Sequence, residues 1–364
     1  MYNLIPPQFY TTFYFVILLF IVIIYFIFTQ RAVFDTQYKF NQVTFSFLGF
    51  FTLAFTILYM GNRPLSGRYF VDMATYNDIF ILMKVWGRSA VPQNDKVFFY
   101  YMFISTKLMS SEKFFLLTAF LYTFPLFIVS KKIFKKYWFY CFLLFVSSFS
   151  FWAYGTNGLR NGLATSIFLL VFSTKNIFLR ISILALSVGI HSSMYIPLAA
   201  YIVALLVKKT SVLLIGWLLA TPISLVAGGF FQSLFASLME DDRTSYLTQG
   251  NVNNDTFAST GFRWDFVLYS AVPVLIGYYF IIRKKYKDRL YKVIYGTYLV
   301  ANAFWILVIK ANFSNRFAYL SWFMMALVIA YPFLMYDRSK KSHQILGDIS
   351  FVYFLFTFFM YVIL

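Results

Sequence analysis

Apolar runs approaching or exceeding 18 residues recur from one end of this sequence to the other. In hydrocarbon every backbone N–H and C=O needs a partner within the protein, so only helices and closed barrels are open to such segments. The runs are too long, and alternate too weakly, to be barrel strands. They fall at approximately 9–29, 43–60, 113–130, 137–153, 156–173, 177–189, 191–207, 211–228, 264–282, 290–309, 314–335 and 347–363. The expectation is an all-α polytopic integral membrane protein forming one membrane domain over 1–364, with about 12 transmembrane helices and a range of 11–14. Several runs are short for a core that takes about 20 residues, so some spans are expected to be tilted or broken. The runs 177–189 and 191–207, which meet at Gly189 and His191, are the clearest example.

Composition closes off the competing classes. Only 12% of residues are charged, against about 25% in a soluble domain. The formal charge of +18 could suggest nucleic acid, but the basic residues cluster between spans. That is the footprint of the positive-inside rule, so no nucleic-acid partner is expected. Residues 1–8 hold no basic residue, so the first run is expected to remain a span rather than serve as a leader. Cys141 is the only cysteine, which excludes an intrachain disulfide and a cysteine metal cluster.

The basic residues also orient the chain. Alternate loops hold Arg31 and Lys39; Lys131, Lys132, Lys135 and Lys136; Lys175 and Arg180; Lys208 and Lys209; six between Arg283 and Lys292; then Arg338, Lys340 and Lys341. This side reads as cytoplasmic, with both termini outside. The opposite side receives two larger loops, 61–112 and 229–263. Long insertions on one side of a tightly looped bundle are where binding walls are built, so the active face is expected to be the outer one. Within the first loop, 96–110 is ambiguous: a short span, or an interfacial or re-entrant helix bounded by Lys96 and Lys107.

On that face the topology sets Arg63, Arg160, His191, Arg263 and Arg316 at one depth. Arginine is disfavoured there, so each reads either as an interface anchor snorkelling to lipid phosphate or as the ligand of an anion. Arg160 in NGLRNG and Arg316 in SNRFAYLSW stand beside small or amide residues and open their helices. Free N–H groups and the helix dipole reinforce a guanidinium there, an arrangement suited to pyrophosphate. His191 is either satisfied by a neighbouring backbone or hydroxyl group, or is a general base. The other histidine, His343, lies in the cytoplasmic DRSKKSHQ stretch, so no histidine metal site is expected.

With 13 acidic residues in all, the outer-face carboxylates are informative. Asp72 pairs with Arg63 or Arg68, contacts a sugar hydroxyl, or orients the histidine; Asp78 and Asp265 are also available, and Glu240, Asp241 and Asp242 read as a solvated loop tip. Tyr69, Tyr76 and the other loop aromatics offer stacking faces for sugars, a weak signal at 23% aromatic.

The combination of GNRPLSGRYFVDMATY, LRNGLA, GIHSS and SNRFAYL across a Tyr- and Phe-rich multi-span chain resembles the EpsG-like branch of the Wzy-type bacterial polysaccharide polymerases. The resemblance runs from about residue 55 to about residue 335, through short motifs, and Asn161 stands where that family typically has Gln after the arginine. It implies a GT-C-like membrane glycosyltransferase in the bacterial inner membrane, active at the periplasmic face in O-antigen, capsule or exopolysaccharide synthesis. The growing glycan would pass from undecaprenyl pyrophosphate to the terminal sugar hydroxyl of an incoming lipid-linked unit, with no bound cofactor or metal. The implied partners are undecaprenyl-pyrophosphate-linked oligosaccharides, membrane lipid and a chain-length-determinant protein of the same pathway. On this reading Arg160, Arg316, Arg63 and Arg263 meet the pyrophosphate, His191 is the base with Asp72 in reserve, and Asn161, Tyr76 and Asp265 touch substrate. A flippase or other transporter, an O-antigen ligase and a membrane O-acyltransferase share parts of this constellation.

Overall fold

The computed structural model describes residues 5–31, 38–238, 262–311, 314–337 and 339–363. Eight helical stretches among them are long and apolar enough to cross a membrane: Pro7–Arg31, Gln42–Gly61, Ser111–Val146, Thr210–Phe235, Trp264–Arg283, Arg289–Leu307, Ser314–Met335 and Lys340–Val362. Leu159–Ser173, Ile177–Ile190 and Ser192–Leu206 are shorter apolar helices. The protein is therefore an all-α, multi-pass membrane protein. Every apolar run of the sequence falls on helix, but the lengths support eight crossings rather than fixing twelve. The runs at 113–130 and 137–153 share one stretch, and the second is interrupted at Ser147 and Ser148.

The chain divides into two compact units, one of Met1–His191 with Phe333–Leu364 and the other of Ser192–Pro332. In the first, α1 (Pro7–Arg31) packs on α16 (Lys340–Phe358), and α2 (Tyr38–Gly61) packs on α5 (Ser111–Phe134). A 3-10 turn at Lys135–Tyr137, with Lys135 at φ 53°, separates α5 from α6 (Trp138–Val146), whose residues are all buried. Then come α7 (Phe149–Thr156), α8 (Leu159–Leu169) and α9 (Ile177–Ile190). The Asn176 side chain accepts from Leu179 N–H and caps the start of α9.

The segment 61–112, expected as an outer loop with an ambiguous helix at 96–110, carries two helices, α3 (Val71–Trp86), which was not expected, and α4 (Lys96–Leu108). Met73, Tyr76, Phe80 and Met83 recur at helical spacing and form the buried face of α3. The exposed Thr75, Asp78 and Lys84 on its other face make the stretch read as polar. Helix α4, at 13 residues, falls on the 96–110 stretch and is too short to span. Most of the second expected loop, with Glu240, Asp241 and Asp242, lies outside the described residues.

In the second unit α10 (Tyr195–Leu206), α11 (Thr210–Leu238), α12 (Trp264–Tyr278) and α14 (Ser314–Trp322) pack around α13 (Arg289–Leu307); α15 (Met325–Met335) leads out of the unit. Helix α11 holds Pro222 and loses helical geometry at Ala227. Asn302 of α13 ties the group together. Its carbonyl oxygen accepts from Trp217 Nε1 at 2.7 Å, and its amide donates to Ser321 Oγ at 2.9 Å and Ser270 Oγ at 3.2 Å. Four helices thereby share one satisfied polar cluster in an apolar surrounding, where an unpaired amide would be costly.

Candidate functional site

Three chain segments of the first unit converge on one carboxylate. Asp95 directly precedes α4 and holds a left-handed backbone, φ 43° and ψ 47°, a conformation aspartate tolerates better than most residues. A carboxylate at a helix start ordinarily caps the free N–H groups, yet this side chain does not. It turns instead into the protein, with 3% of its side chain exposed, and Oδ2 accepts from Arg160 Nη1 at 2.6 Å. His191 Nδ1 lies 2.8 Å from the same oxygen.

The local sequence explains the convergence. Arg160 is the second residue of α8, whose start is packed so closely on α7 that a side chain at Gly162 would strike the Tyr154 carbonyl. His191 closes α9, and one turn earlier Ser187 Oγ donates to the Ala164 carbonyl of α8 at 2.8 Å. That bond sets the end of α9 beside the start of α8. Gly189 lets the same end approach α4, since a Cβ there would meet Val97.

Arg160 is held on three sides. Its Nε donates to the Tyr76 hydroxyl at 3.0 Å, and its guanidinium lies 5.4 Å from the Phe99 ring centroid. Burial raises the Tyr76 phenol above its ordinary value against the lowering pull of Arg160, with Asp72 also raising it. Tyr76 thus stays neutral and accepts the hydrogen bond. Arg160 keeps 23% of its side chain exposed, whereas Asp95 and His191 keep 3% each. The arginine is the member of the group that a solute or headgroup reaches first.

The EpsG family model matches residues 50–364. The chain belongs to the EpsG family. The match covers all four motifs that carry the resemblance in the sequence. Comparison with curated proteins and with solved structures returns no match.

The other candidates of this EpsG-family chain are distributed less simply. Asp72 was a candidate for orienting the histidine, but the carboxylate in contact with His191 is that of Asp95. Asp72 occupies the first turn of α3 and acts electrostatically on Tyr76. Sequence reasoning missed Asp95, although a scarce acidic residue placed just before an apolar run is a usable signal. Asn161 is buried on α8. Arg63 is also buried, donating to the Met60 carbonyl at 2.7 Å and the Thr156 carbonyl at 3.2 Å beneath the Phe115 ring. It satisfies the carbonyl ends of α2 and α7, a structural use of arginine. Burial lowers its guanidinium to about 9, with Tyr10 opposing, so it remains cationic at neutral pH.

Arg63→Ala should therefore act on the fold. It strands two carbonyls, and the unfolding temperature in detergent should fall with a loss of about 1–3 kcal/mol. An unchanged unfolding temperature with lost activity would return Arg63 to the substrate site.

In the second unit Arg263 forms a two-point ion pair with Asp265, with Nε to Oδ1 at 2.9 Å, and stacks over Phe266 at 3.8 Å. Each of these two candidates thus has its partner two residues away. Arg316 is the third residue of α14, at the helix start where the sequence placed it, and is half-buried.

Proposed function

We propose that this protein polymerises lipid-linked oligosaccharide repeat units, moving the growing glycan from undecaprenyl pyrophosphate to the terminal sugar hydroxyl of an incoming lipid-linked unit. The reaction takes place at the periplasmic face of the bacterial inner membrane, on a GT-C-like scaffold. The observation that carries this reading is the shared carboxylate of Asp95, which holds a partly exposed cation and an imidazole side by side.

The transfer makes two demands that this pair meets. The bond from the anomeric carbon to the pyrophosphate oxygen breaks, and the electron pair leaves on the pyrophosphate, whose growing charge Arg160 stabilises. The acceptor hydroxyl forms the new bond to that carbon and passes its proton to His191. With Nδ1 on Asp95, the ring is oriented and Nε2 is the nitrogen that accepts the proton. Helices α3 and α4 lie along the outer interface, with Trp86, Tyr100 and Leu108 exposed, and keep both headgroups at the depth of the site.

The test is a reconstitution. Purified protein in proteoliposomes, supplied with lipid-linked repeat units, should yield a ladder of lengthened lipid-linked products. Movement of the units across the membrane without a ladder would replace this reading with a flippase. In cells, loss of a polymerase leaves single-unit caps, loss of a ligase leaves free lipid-linked polymer, and loss of an acyltransferase leaves chain length unchanged.

A further inference from the structure

One oxygen of Asp95 receives two partners with different roles. Arg160 Nη1 is at 2.6 Å and His191 Nδ1 at 2.8 Å from Oδ2. A carboxylate oxygen gripped by a guanidinium at charge-assisted distance is a weaker acceptor for a second donor. The guanidinium also opposes protonation of the nearby imidazole, whereas an undivided carboxylate favours it. Asp95 thus stands where an anionic ligand of Arg160 would stand, and within reach of the base.

Resting on the polymerase reading, we infer that Asp95 is a positioning residue that couples substrate arrival to proton abstraction. When the pyrophosphate of the lipid carrier takes Arg160, the carboxylate is released to His191 alone, and the imidazole becomes a stronger base while donor substrate is bound. Before substrate arrives the base is held weak, which suppresses proton transfer without a donor in place. No covalent change is required of Asp95: it moves between two partners that already lie within 2.8 Å of it. The left-handed backbone at its position lies at the end of the linker between α3 and α4, so the carboxylate can re-aim without moving either helix.

The charged and titratable groups on the segments that carry or pack on the end of α9 can be named. Asp95 and Lys96 stand at the start of α4 with Tyr100 and Tyr101 further along it, Arg160 on α8, Tyr195 at the start of α10, and Tyr76 behind Arg160. Lys107 of α4 and Arg180 of α9 stand at the far ends of their helices. Asp95 is in direct contact with both the guanidinium and the ring, so a change of charge at Arg160 reaches His191 through one residue.

The chain has two histidines, which makes the test readable by ¹⁵N-histidine NMR of the full protein in nanodiscs. The His191 resonance is the one that disappears in His191→Gln. Inorganic pyrophosphate should raise the His191 titration midpoint in wild type by about one unit more than in Asp95→Asn. The variant retains the field of the added anion, so the difference isolates the carboxylate. In wild type alone, the Nδ1 proton should move downfield on adding pyrophosphate, a readout that does not depend on any variant folding. Equal midpoint shifts, or an unmoved Nδ1 proton with pyrophosphate bound, would overturn the coupling and leave the polymerase reading intact. Pyrophosphate that binds Arg160→Ala as tightly as wild type would overturn both.

Discussion

Arg160→Ala should abolish long-chain polymer while single repeat units continue to be made and capped. The argument is one of charge in a sheltered site. As the pyrophosphate leaves, negative charge grows on its oxygens, and a pre-placed donor at such a position contributes about 10²- to 10³-fold in rate. Arg160 has the further advantage of being pre-placed, held by Asp95 until substrate arrives and by Tyr76 and Phe99 throughout, so little side-chain ordering is needed at the moment of reaction. Arg160→Lys keeps the charge but cannot reach Asp95 and Tyr76 with one fork, and should give short chains rather than none. Arg160→Ala also leaves Asp95 buried without its guanidinium partner, and breaking a buried pair costs about 3–5 kcal/mol. Lost polymer could then reflect lost fold. The double variant Asp95→Asn with Arg160→Gln separates the two, because it removes both charges together. It should recover membrane abundance and thermal stability without recovering polymer. Normal chain lengths from it would mean that Arg160 is only the counter-ion of Asp95. Arg316→Ala tests the other motif arginine independently, and normal lengths in both single variants would sink the pyrophosphate assignment.

The helices were legible because hydrocarbon length leaves few alternatives, and every apolar run became helix. The placement of Arg160 in the first turn of α8 and of His191 at the end of α9 also followed from sequence, since Gly158 and Gly189 mark those ends. What the sequence hid was pairing at a distance. Asp95 and Arg160 are separated by 65 positions, and nothing local in PQNDK says that the aspartate forgoes its helix cap. The other aspartates of the same segment, Asp72 and Asp78, offered the same chemistry. Helix α3 was missed for a related reason: its buried face has four residues, and Asp72, Thr75, Asn77, Asp78 and Lys84 interrupt the apolar pattern between them. The Asn302 cluster was invisible in the same way, because two serines and two tryptophans from three other helices complete it.

His191→Ala should lower polymerisation by about 10²- to 10⁴-fold, the range for loss of a positioned general base. The sign of the pH dependence distinguishes this from a packing defect. A base must be neutral to accept a proton, so the wild-type rate should rise with pH and then level off. The Ala variant should be slow at every pH and should lack that rise. The side chain is 3% exposed and directed at Asp95, so its removal leaves a cavity of imidazole size beside a carboxylate. Added imidazole should occupy it and restore part of the rate, more at high pH than at low, because the neutral form is the active one. A variant that keeps wild-type rate and pH dependence would make His191 the cap of α9 and nothing more. In that case Asp72→Ala becomes the next substitution to make. It should otherwise have the smaller effect, since the carboxylate beside His191 is that of Asp95, while Asp72 acts electrostatically on Tyr76. Tyr76 in turn touches Arg160, not the histidine. The order of the two losses therefore identifies the base: His191 first if the proton goes to the imidazole held by Asp95, Asp72 first if it goes to the start of α3.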